Sequence, residues 1–537
     1  MYTYLLVIAS VITLCVLCNK ISNKIGIPTL LAFIVLGMFF GSDGVVKIDF
    51  DNYYAAQEIC SMALIFIMFY GGFGTKWSLA KPVALKASLL SSIGVVVTAG
   101  LVGLFCMFFL HTTVVESFLI GAVISSTDAA SVFSILRSKK LNLKYNTASM
   151  LEVESGSNDP FSYMLTAMLI TMLDGSITTG QIVAMLAKQL IFGIAMGFFT
   201  AFAALAFLRR LRISNSGFDG VFIVAVALVS YAATSLIGGN GYLSVYITGI
   251  VIGNSKIDNK QALVHFFDSA TGLMQMSLFF LLGLLSFPSQ LPAIAPVSIM
   301  VALFLTFVAR PIAVFAILKP FSCSTRQCLL VSWAGMRGAA SIVFAIMTVT
   351  CSGITHNDIF HIVFFIVLFS ILVQGSLIPF VAKKLDMTDD SSDVMKTFND
   401  YADEVPVQFI QFIMPENHAW CNRKIMDIQF PPDSLVVLLV RNGRKIIPRG
   451  GTMIEAGDVL VLGGLSSVDH TEIHLYERKL DKGDEYIGKS IMELEVMQKL
   501  IVIILRRGET IIPTGKTILM ENDILVINEL SSNKQVY

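Results

Sequence analysis

Residues 147–173 read TASMLEVESGSNDPFSYMLTAMLITML, and the interpretation of this stretch decides the fold. It is long enough as a helix to cross about 30 Å of hydrocarbon. Yet Glu152, Glu154 and Asp159 lie inside it. An ionisable group at the centre of a spanning helix costs about 3 kcal/mol on insertion scales, and such groups mark function by default. The alternative is an ordinary soluble helix with a polar face. The rest of the chain excludes that.

The 537 residues are 55% hydrophobic and 14% charged, with a mean hydropathy of +0.75; soluble proteins average roughly 25% charged. A single soluble globule and a disordered chain are both excluded. Apolar runs of membrane-spanning length recur at 2–18, 25–41, 57–73, 87–110, 117–136, 147–173, 182–207, 217–236, 239–253, 263–285, 293–317, 327–349 and 359–382. These predict a polytopic α-helical membrane protein of about 13 transmembrane helices. The first run has no basic flank before it and no convincing cleavage site after it, so it reads as a retained helix.

The net charge is zero, but its halves differ. Residues 1–384 hold 22 basic and 14 acidic side chains; residues 385–537 hold 16 and 24. Alternate loops of the apolar part carry 18 Lys and Arg, against Lys47 alone on the other side. The positive-inside rule then puts the N-terminus outside and the acidic C-terminal tail in the cytoplasm. No overall basic field invites nucleic acid. The eight cysteines sit mostly in apolar segments as small buried hydrophobes, and Cys15 and Cys18 have no second pair to complete a metal site.

Polar groups gather in three of the spans. The fifth contains Ser125-Ser126-Thr127-Asp128, and the twelfth contains Gly335-Met336-Arg337-Gly338. Both sets tolerate unwound backbone, and broken helices near the midplane present carbonyls and half-helix dipoles to ions. In the sixth, Glu154 and Asn158 are four residues apart and share a face, with Asp159 one step round. A proton and a cation are competing ways to neutralise a buried Asp159 carboxylate. Asn158 offers an amide oxygen to a cation and an NH2 to orient the acid. Glu154 needs a positive partner in hydrocarbon, and Arg337 is the expected one, in a structural rather than a transported pair. Arg310, late in the eleventh span, and Ser155 are secondary candidates. No nucleophile–base constellation stands out, so an enzyme is not expected. The histidines are scattered; His265 and His361 lie in apolar segments, where either could respond to pH or simply pack.

After Asp386 the composition becomes polar. A linker is expected at 385–404, followed by a small α+β tail of two repeated units at 405–466 and 467–537. VVLLVRNGRKIIPRGGTMIEAGDVLVL in the first answers IVIILRRGETIIPTGKTILMENDILVI in the second. Gly443 and Gly508, Pro448 and Pro513, Thr452 and Thr517, Asp458 and Asp523 match at an offset of 65. Each unit reads as strand, tight turn (Asn442-Gly443; Arg507-Gly508), strand, Pro-Gly turn, strand.

The ordered motifs SSTDAAS, ESGSNDP and GMRGAAS over residues 1–384 resemble those of the NhaP-type monovalent cation:proton antiporters. The resemblance implies an inverted-repeat antiporter fold, a homodimer, crossing broken helices and alternating access by an elevator-like core. It implies that Asp159 is the shared proton and cation carboxylate, with Asp128 and Thr127 as partners, Asn158 as organiser and Glu154–Arg337 as the structural pair. Asn-Asp, where electrogenic relatives carry Asp-Asp, implies electroneutral one-for-one exchange. One departure is Tyr70 before Gly71-Gly72, where the family often has an acid. The tail units, through RNGRKIIPRGGTMIEAGD at 441–458, resemble TrkA-C (RCK-C) domains, with no GxGxxG nucleotide-binding half beside them. They imply control by a small ligand or nucleotide, or dimerisation alone. No cofactor is implied beyond the transported K+ or Na+ and H+; potassium is favoured and sodium is the rival. A ligand-gated potassium channel is a minor alternative, lacking a carbonyl filter such as TVGYG, for which FYGGFG at 69–74 is a poor substitute.

Overall fold

A computed structural model describes residues 2–25, 28–50, 52–139, 141–175, 178–210, 216–255, 257, 260–351 and 358–389 of the apolar part. In the tail it describes 407–416, 418, 420–428, 430, 434–441, 444–465, 475–480, 482, 484–493, 499–506, 509–511 and 513–529. The chain divides into two compact units, Met1–Glu404 and Val405–Tyr537.

Unit one is helical, with helices at all the expected spans. They are α1 (Tyr2–Ile25), α2 (Thr29–Phe40), α3 (Tyr53–Gly74), a single turn α4 (Trp77–Ala80), and α5 (Ala84–Leu89), which runs through a π turn at Leu90–Gly94 into α6 (Val95–Phe109). The fifth span is broken into α7 (Val114–Val123) and α8 (Ala129–Ser138). Then come α9 (Thr147–Asp174), α10 (Thr179–Arg210), α11 (Ser216–Leu236), α12 (Gly241–Gly253) and α13 (Lys260–Leu285). Next, α14 (Leu291–Phe304) continues through a π turn at Leu305–Ala309 into α15 (Arg310–Leu318). The twelfth span is broken into α16 (Thr325–Trp333) and α17 (Ala339–Thr350). Last, α18 (Ile359–Phe369) passes a π turn at Ser370–Gly375 into α19 (Ser376–Lys384). Among the described residues, seven continuous helices are long and apolar enough to cross a membrane unaided; α2 and α12 are shorter, the fifth and twelfth spans are broken, and α9 is interrupted by acids.

The second half repeats the first seven spans later. α12 corresponds to α2, α13 to α3, α14–α15 to α5–α6 with its π turn, and α16/α17 to the broken α7/α8. The packing follows the same exchange. A Cβ on Gly37 of α2 would stand 2.1 Å from the Phe280 carbonyl oxygen of α13, and one on Gly283 would stand 2.1 Å from that of Ile34. Equivalently, a Cβ on Gly72 of α3 would lie 2.3 Å from the Tyr246 carbonyl of α12, and one on Gly249 would lie 2.3 Å from that of Phe69. Only glycine admits backbones this close, which is how helices without a hydrophobic driving force pack in lipid. The two glycine pairs are the same contact seen twice.

Unit two contains two four-stranded antiparallel sheets. The first comprises β1 (Val407–Ile413), β2 (Ser434–Arg441), β3 (Arg444–Ile446) and β4 (Val459–Leu465), ordered β1-β4-β2-β3. The second comprises β5 (Leu475–Lys479), β6 (Lys499–Arg506), β7 (Glu509–Ile511) and β8 (Ile524–Glu529), ordered β5-β8-β6-β7. The offset of 65 extends to irregularities: register shifts fall at Val436/Leu438 and at Ile501/Ile503. The edge strands β1 and β5 lie before the stretch in which the repeat is strongest. The turns at 442–443 and 507–508 and linker positions 390–404 lie outside the described residues.

Each sheet is closed by one ion pair. Arg441 Nε and Nη2 donate to the Asp458 carboxylate, both at 2.8 Å, and Arg506 does the same to Asp523 at 2.8 and 2.7 Å. Burial pushes both carboxyls up, but the arginine bonds and a backbone amide more than offset it, leaving each below the usual carboxylate range. Such a group stabilises the fold above its unfolded value near 3.9 and loses that contribution as pH falls through the lower folded value. Arg441→Ala strands a buried carboxylate, at a cost of about 3 kcal/mol. At pH 7 limited proteolysis of the full chain then cuts the first sheet well before the second; equal cutting contradicts the role.

Candidate ion-binding site

The two broken spans meet at their breaks. Residues 124–128 and 334–338 are non-helical, and the Asp128 amide donates to the Met336 carbonyl at 2.8 Å. A helix end leaves carbonyls unpaired and carries partial negative charge. Arg337 answers both at the end of α7: its Nη1 donates to the carbonyls of Ser125 and Ser126, each at 2.7 Å. Asp128 caps the start of α8 by accepting the Ser131 amide at 3.2 Å. Gly338 has no room for a side chain, since a Cβ would fall 2.4 Å from that of Asp128.

Helix α9 lies along the first break. Ser155 Oγ bridges it, donating to the Thr127 carbonyl and accepting the Ala129 amide, both at 2.9 Å. Asn158 Nδ2 donates to Thr127 Oγ1, and Ser126 Oγ donates to Asp159 Oδ1. Asn158 is fully buried, and its Oδ1 has no hydrogen-bond partner among the described residues. Pro160, directly after Asp159, cannot donate to the Gly156 carbonyl, and its own carbonyl accepts Asn240 Nδ2 at 2.8 Å. The ring of Tyr246 rests on Gly156, within 2.6 Å of where a Cβ would be. A buried carboxylate and a buried amide, each hydrogen-bonded to a hydroxyl of the opened segment, therefore lie side by side on α9, and their oxygens are of the kind that a dehydrated monovalent cation can use.

The structural pair differs from expectation. Glu154 Oε1 is bound by Arg310 Nη2, both side chains being almost fully buried, and not by Arg337. Arg310 opens α15 directly after a π turn and passes over Gly335, where a Cβ would stand 2.8 Å from its Nε. Arg337 meets the carbonyls of the α7 break through Nη1 alone. Its amide is in turn held by Ser370 Oγ at 3.1 Å. The departure at Tyr70 also acquires a setting: its hydroxyl donates to Asp268 Oδ1 of α13 at 3.1 Å. Sequence alone assigned Ser126 no role beyond the break and did not single out Asp268. Asp268 carried the usable signal, an acid inside an apolar span.

Comparison with known proteins fits this geometry. The family model for the sodium/hydrogen exchanger transmembrane domain matches residues 7–384, and the TrkA-C domain matches twice, at 409–470 and 475–527. The K(+)/H(+) antiporter NhaP of Alkalimonas amylolytica is 32% identical over 86% of this chain and 82% of its own length. The K(+)/H(+) antiporter NhaP2 of Shewanella baltica is 30% identical over 87% and 82%. The sodium proton antiporter MjNhaP1 of Methanocaldococcus jannaschii, 24% identical, superposes over 70% of this chain and 97% of its own with a TM-score of 0.62. The chain thus belongs to the sodium/hydrogen exchanger family, a multi-pass membrane cation:proton antiporter that carries two TrkA-C domains.

Proposed function

We propose that the chain exchanges K+ for H+, one for one, at Asp159. The observation that carries this is Asn158 Oδ1, fully buried and without a hydrogen-bond partner among the described residues, beside Asp159, whose carboxylate is held by the Ser126 hydroxyl. Asp159 binds either a proton or a stripped cation; Asn158 Oδ1 completes the cation's shell, and Thr127 orients Asn158. Asp128 fixes the start of α8 and adds negative field. Only the neutralised forms cross cheaply, because an uncompensated charge is costly at the midplane. Glu154–Arg310 and Arg337 hold the frame and are not transported.

Potassium is supported by the names of the relatives at 30–32% identity. Sodium is the second reading, favoured by MjNhaP1 and by the low-affinity Na(+)/H(+) antiporter NhaS1 of Synechocystis, 24% identical over 72% of this chain. The basic loops support an N-terminus outside the cell membrane and a cytoplasmic tail. The protein acts as a homodimer, and the tail controls exchange through a small ligand. In everted vesicles K+ and Rb+ dissipate ΔpH at lower concentration than Na+ or Li+, and truncation at Lys384 changes the rate. Equal responses to K+ and Na+ contradict the selectivity, and an unchanged rate removes the regulatory claim.

A further inference from the structure

The mechanism leaves several buried titratable side chains unused, among them Glu116, Asp219 and His361. His361, the third residue of α18, is 4% exposed as a side chain, and both ring nitrogens are engaged. Nε2 accepts the Phe287 amide at 3.2 Å. Nδ1 lies 2.5 Å from Asp358 Oδ2, while Asp358 Oδ1 caps α18 by accepting the His361 amide at 3.1 Å. A nitrogen that accepts carries no proton. The ring is therefore neutral, with its proton on Nδ1 and shared with the carboxylate. The Phe287 ring packs at 5.6 Å and that of Phe360 at 5.1 Å, so the Phe287 amide has an apolar setting.

Phe287 lies in the five-residue link between α13 and α14. That link is fixed elsewhere too: Ser286 Oγ donates to the Gly283 carbonyl at 2.7 Å, and the Ser289 amide to Asp43 Oδ2 at 2.7 Å. The Ser289 bonds hold the Asp43 carboxyl below its usual range, so Asp43 remains a charged acceptor through neutral and mildly acid pH. The histidine contact is the one that a proton can break. A second proton goes on Nε2, turning the acceptor into a donor that faces another donor, and the unmade bond destabilises the closed link.

We propose that His361 is a proton-operated latch at the end of the membrane unit opposite Lys383 and Lys384, holding the α13–α14 link on α18 when neutral and releasing it when protonated. The place matters because the link joins two differently packed regions. On one side α13 is interlocked with α2 at Gly37 and Gly283; on the other α14 packs on α18, which leads to the π turn whose Ser370 holds Arg337. Under the orientation proposed above this end faces outside, where protons arrive or leave. The other ionisable groups near the latch are few. Neither α14 nor α17 carries any. α7 contributes Glu116, which is buried; α3 contributes Tyr53, whose ring lies 5.7 Å from that of Phe360, with Tyr54 and Glu58. His356 lies outside the described residues.

Hydrogen exchange of the full-length protein in nanodiscs tests this, followed by mass spectrometry between pH 5 and pH 8 and corrected for intrinsic exchange. The wild-type peptide spanning 285–290 loses protection on acidification by about tenfold, the scale of one hydrogen bond. His361→Gln retains an acceptor that cannot charge, and its peptide stays protected throughout. Asp358→Asn removes the carboxylate that favours a charged ring and moves the loss to lower pH. Protection that does not change with pH in the wild type overturns the latch. So does an acid-induced loss in His361→Gln matching the wild type, or an Asp358→Asn transition at the wild-type pH. All three readouts are independent of transport, so failure of the K+/H+ assignment leaves them interpretable.

Discussion

Asp159→Asn abolishes exchange, with ΔpH-driven cation flux in proteoliposomes falling by at least about 100-fold, while the protein remains folded and inserted. The substitution keeps size and shape. Ser126 Oγ, which donates to Asp159 Oδ1, finds the amide oxygen of the asparagine in its place, so the packing of α9 on the break survives. What goes is the charge. A neutral amide neither takes up a proton at physiological pH nor compensates a desolvated cation, and an uncompensated ion near the midplane costs several kcal/mol. Ser126→Ala removes only one hydrogen bond and costs much less, on the order of tenfold or below. Persistent K+-dependent flux in a purified, folded Asp159→Asn protein overturns the assignment. Flux lost equally in Ser126→Ala indicates that geometry rather than charge is what was damaged.

The second large effect is on stability. Arg310→Ala leaves Glu154 as an unpaired carboxylate in the protein interior, and breaking a buried pair from one side costs about 3–5 kcal/mol. The Tm in detergent drops sharply, or the protein fails to accumulate. Among the described residues Arg337 makes no ion pair with Glu154, its Nη1 being held by the Ser125 and Ser126 carbonyls. Glu154→Gln alone destabilises less, since Arg310 then keeps a neutral acceptor. A double-mutant cycle identifies the partner: Glu154→Gln is strongly non-additive with Arg310→Gln and close to additive with Arg337→Gln. The opposite pattern means that Arg337 is the partner of Glu154.

These two side chains also show where the sequence was sufficient. The breaks at Ser125–Asp128 and Gly335–Gly338 were legible because small polar residues and glycines have no reason to interrupt an apolar span unless the backbone opens there. Glu154 was equally legible as needing a cation. Its partner was not, because two arginines were available and the choice depends on a distant demand, the orphaned carbonyls ending α7. The π turns left no trace: Leu90–Gly94 and Leu305–Ala309 look like ordinary apolar helix, and only the repeat of the fold relates them. In the tail the offset of 65 exposed the duplicated hairpin. The edge strands β1 and β5 were missed because Val407–Ile413 and Leu475–Lys479 share almost no residues, their pairing with β4 and β8 being a matter of backbone. For the site itself, Asn158 and Asp159 adjoin on α9 as their spacing suggests, Thr127 meets Asn158 where the family resemblance implies a partner, and Tyr70 points to Asp268 through a contact 198 positions apart.

The central claim is that one carboxylate serves both substrates in turn, and the pH dependence of apparent K+ affinity tests it most directly. Wild-type protein is reconstituted, and initial rates are measured against K+ concentration at several pH values. Competition at Asp159 predicts that the half-saturating K+ concentration rises about tenfold per unit of acidification once the site is mostly protonated, while the rate at saturating K+ is preserved wherever proton release on the other side is not limiting. A half-saturating concentration that stays constant across that range would mean that proton and cation occupy separate groups, and would contradict the account.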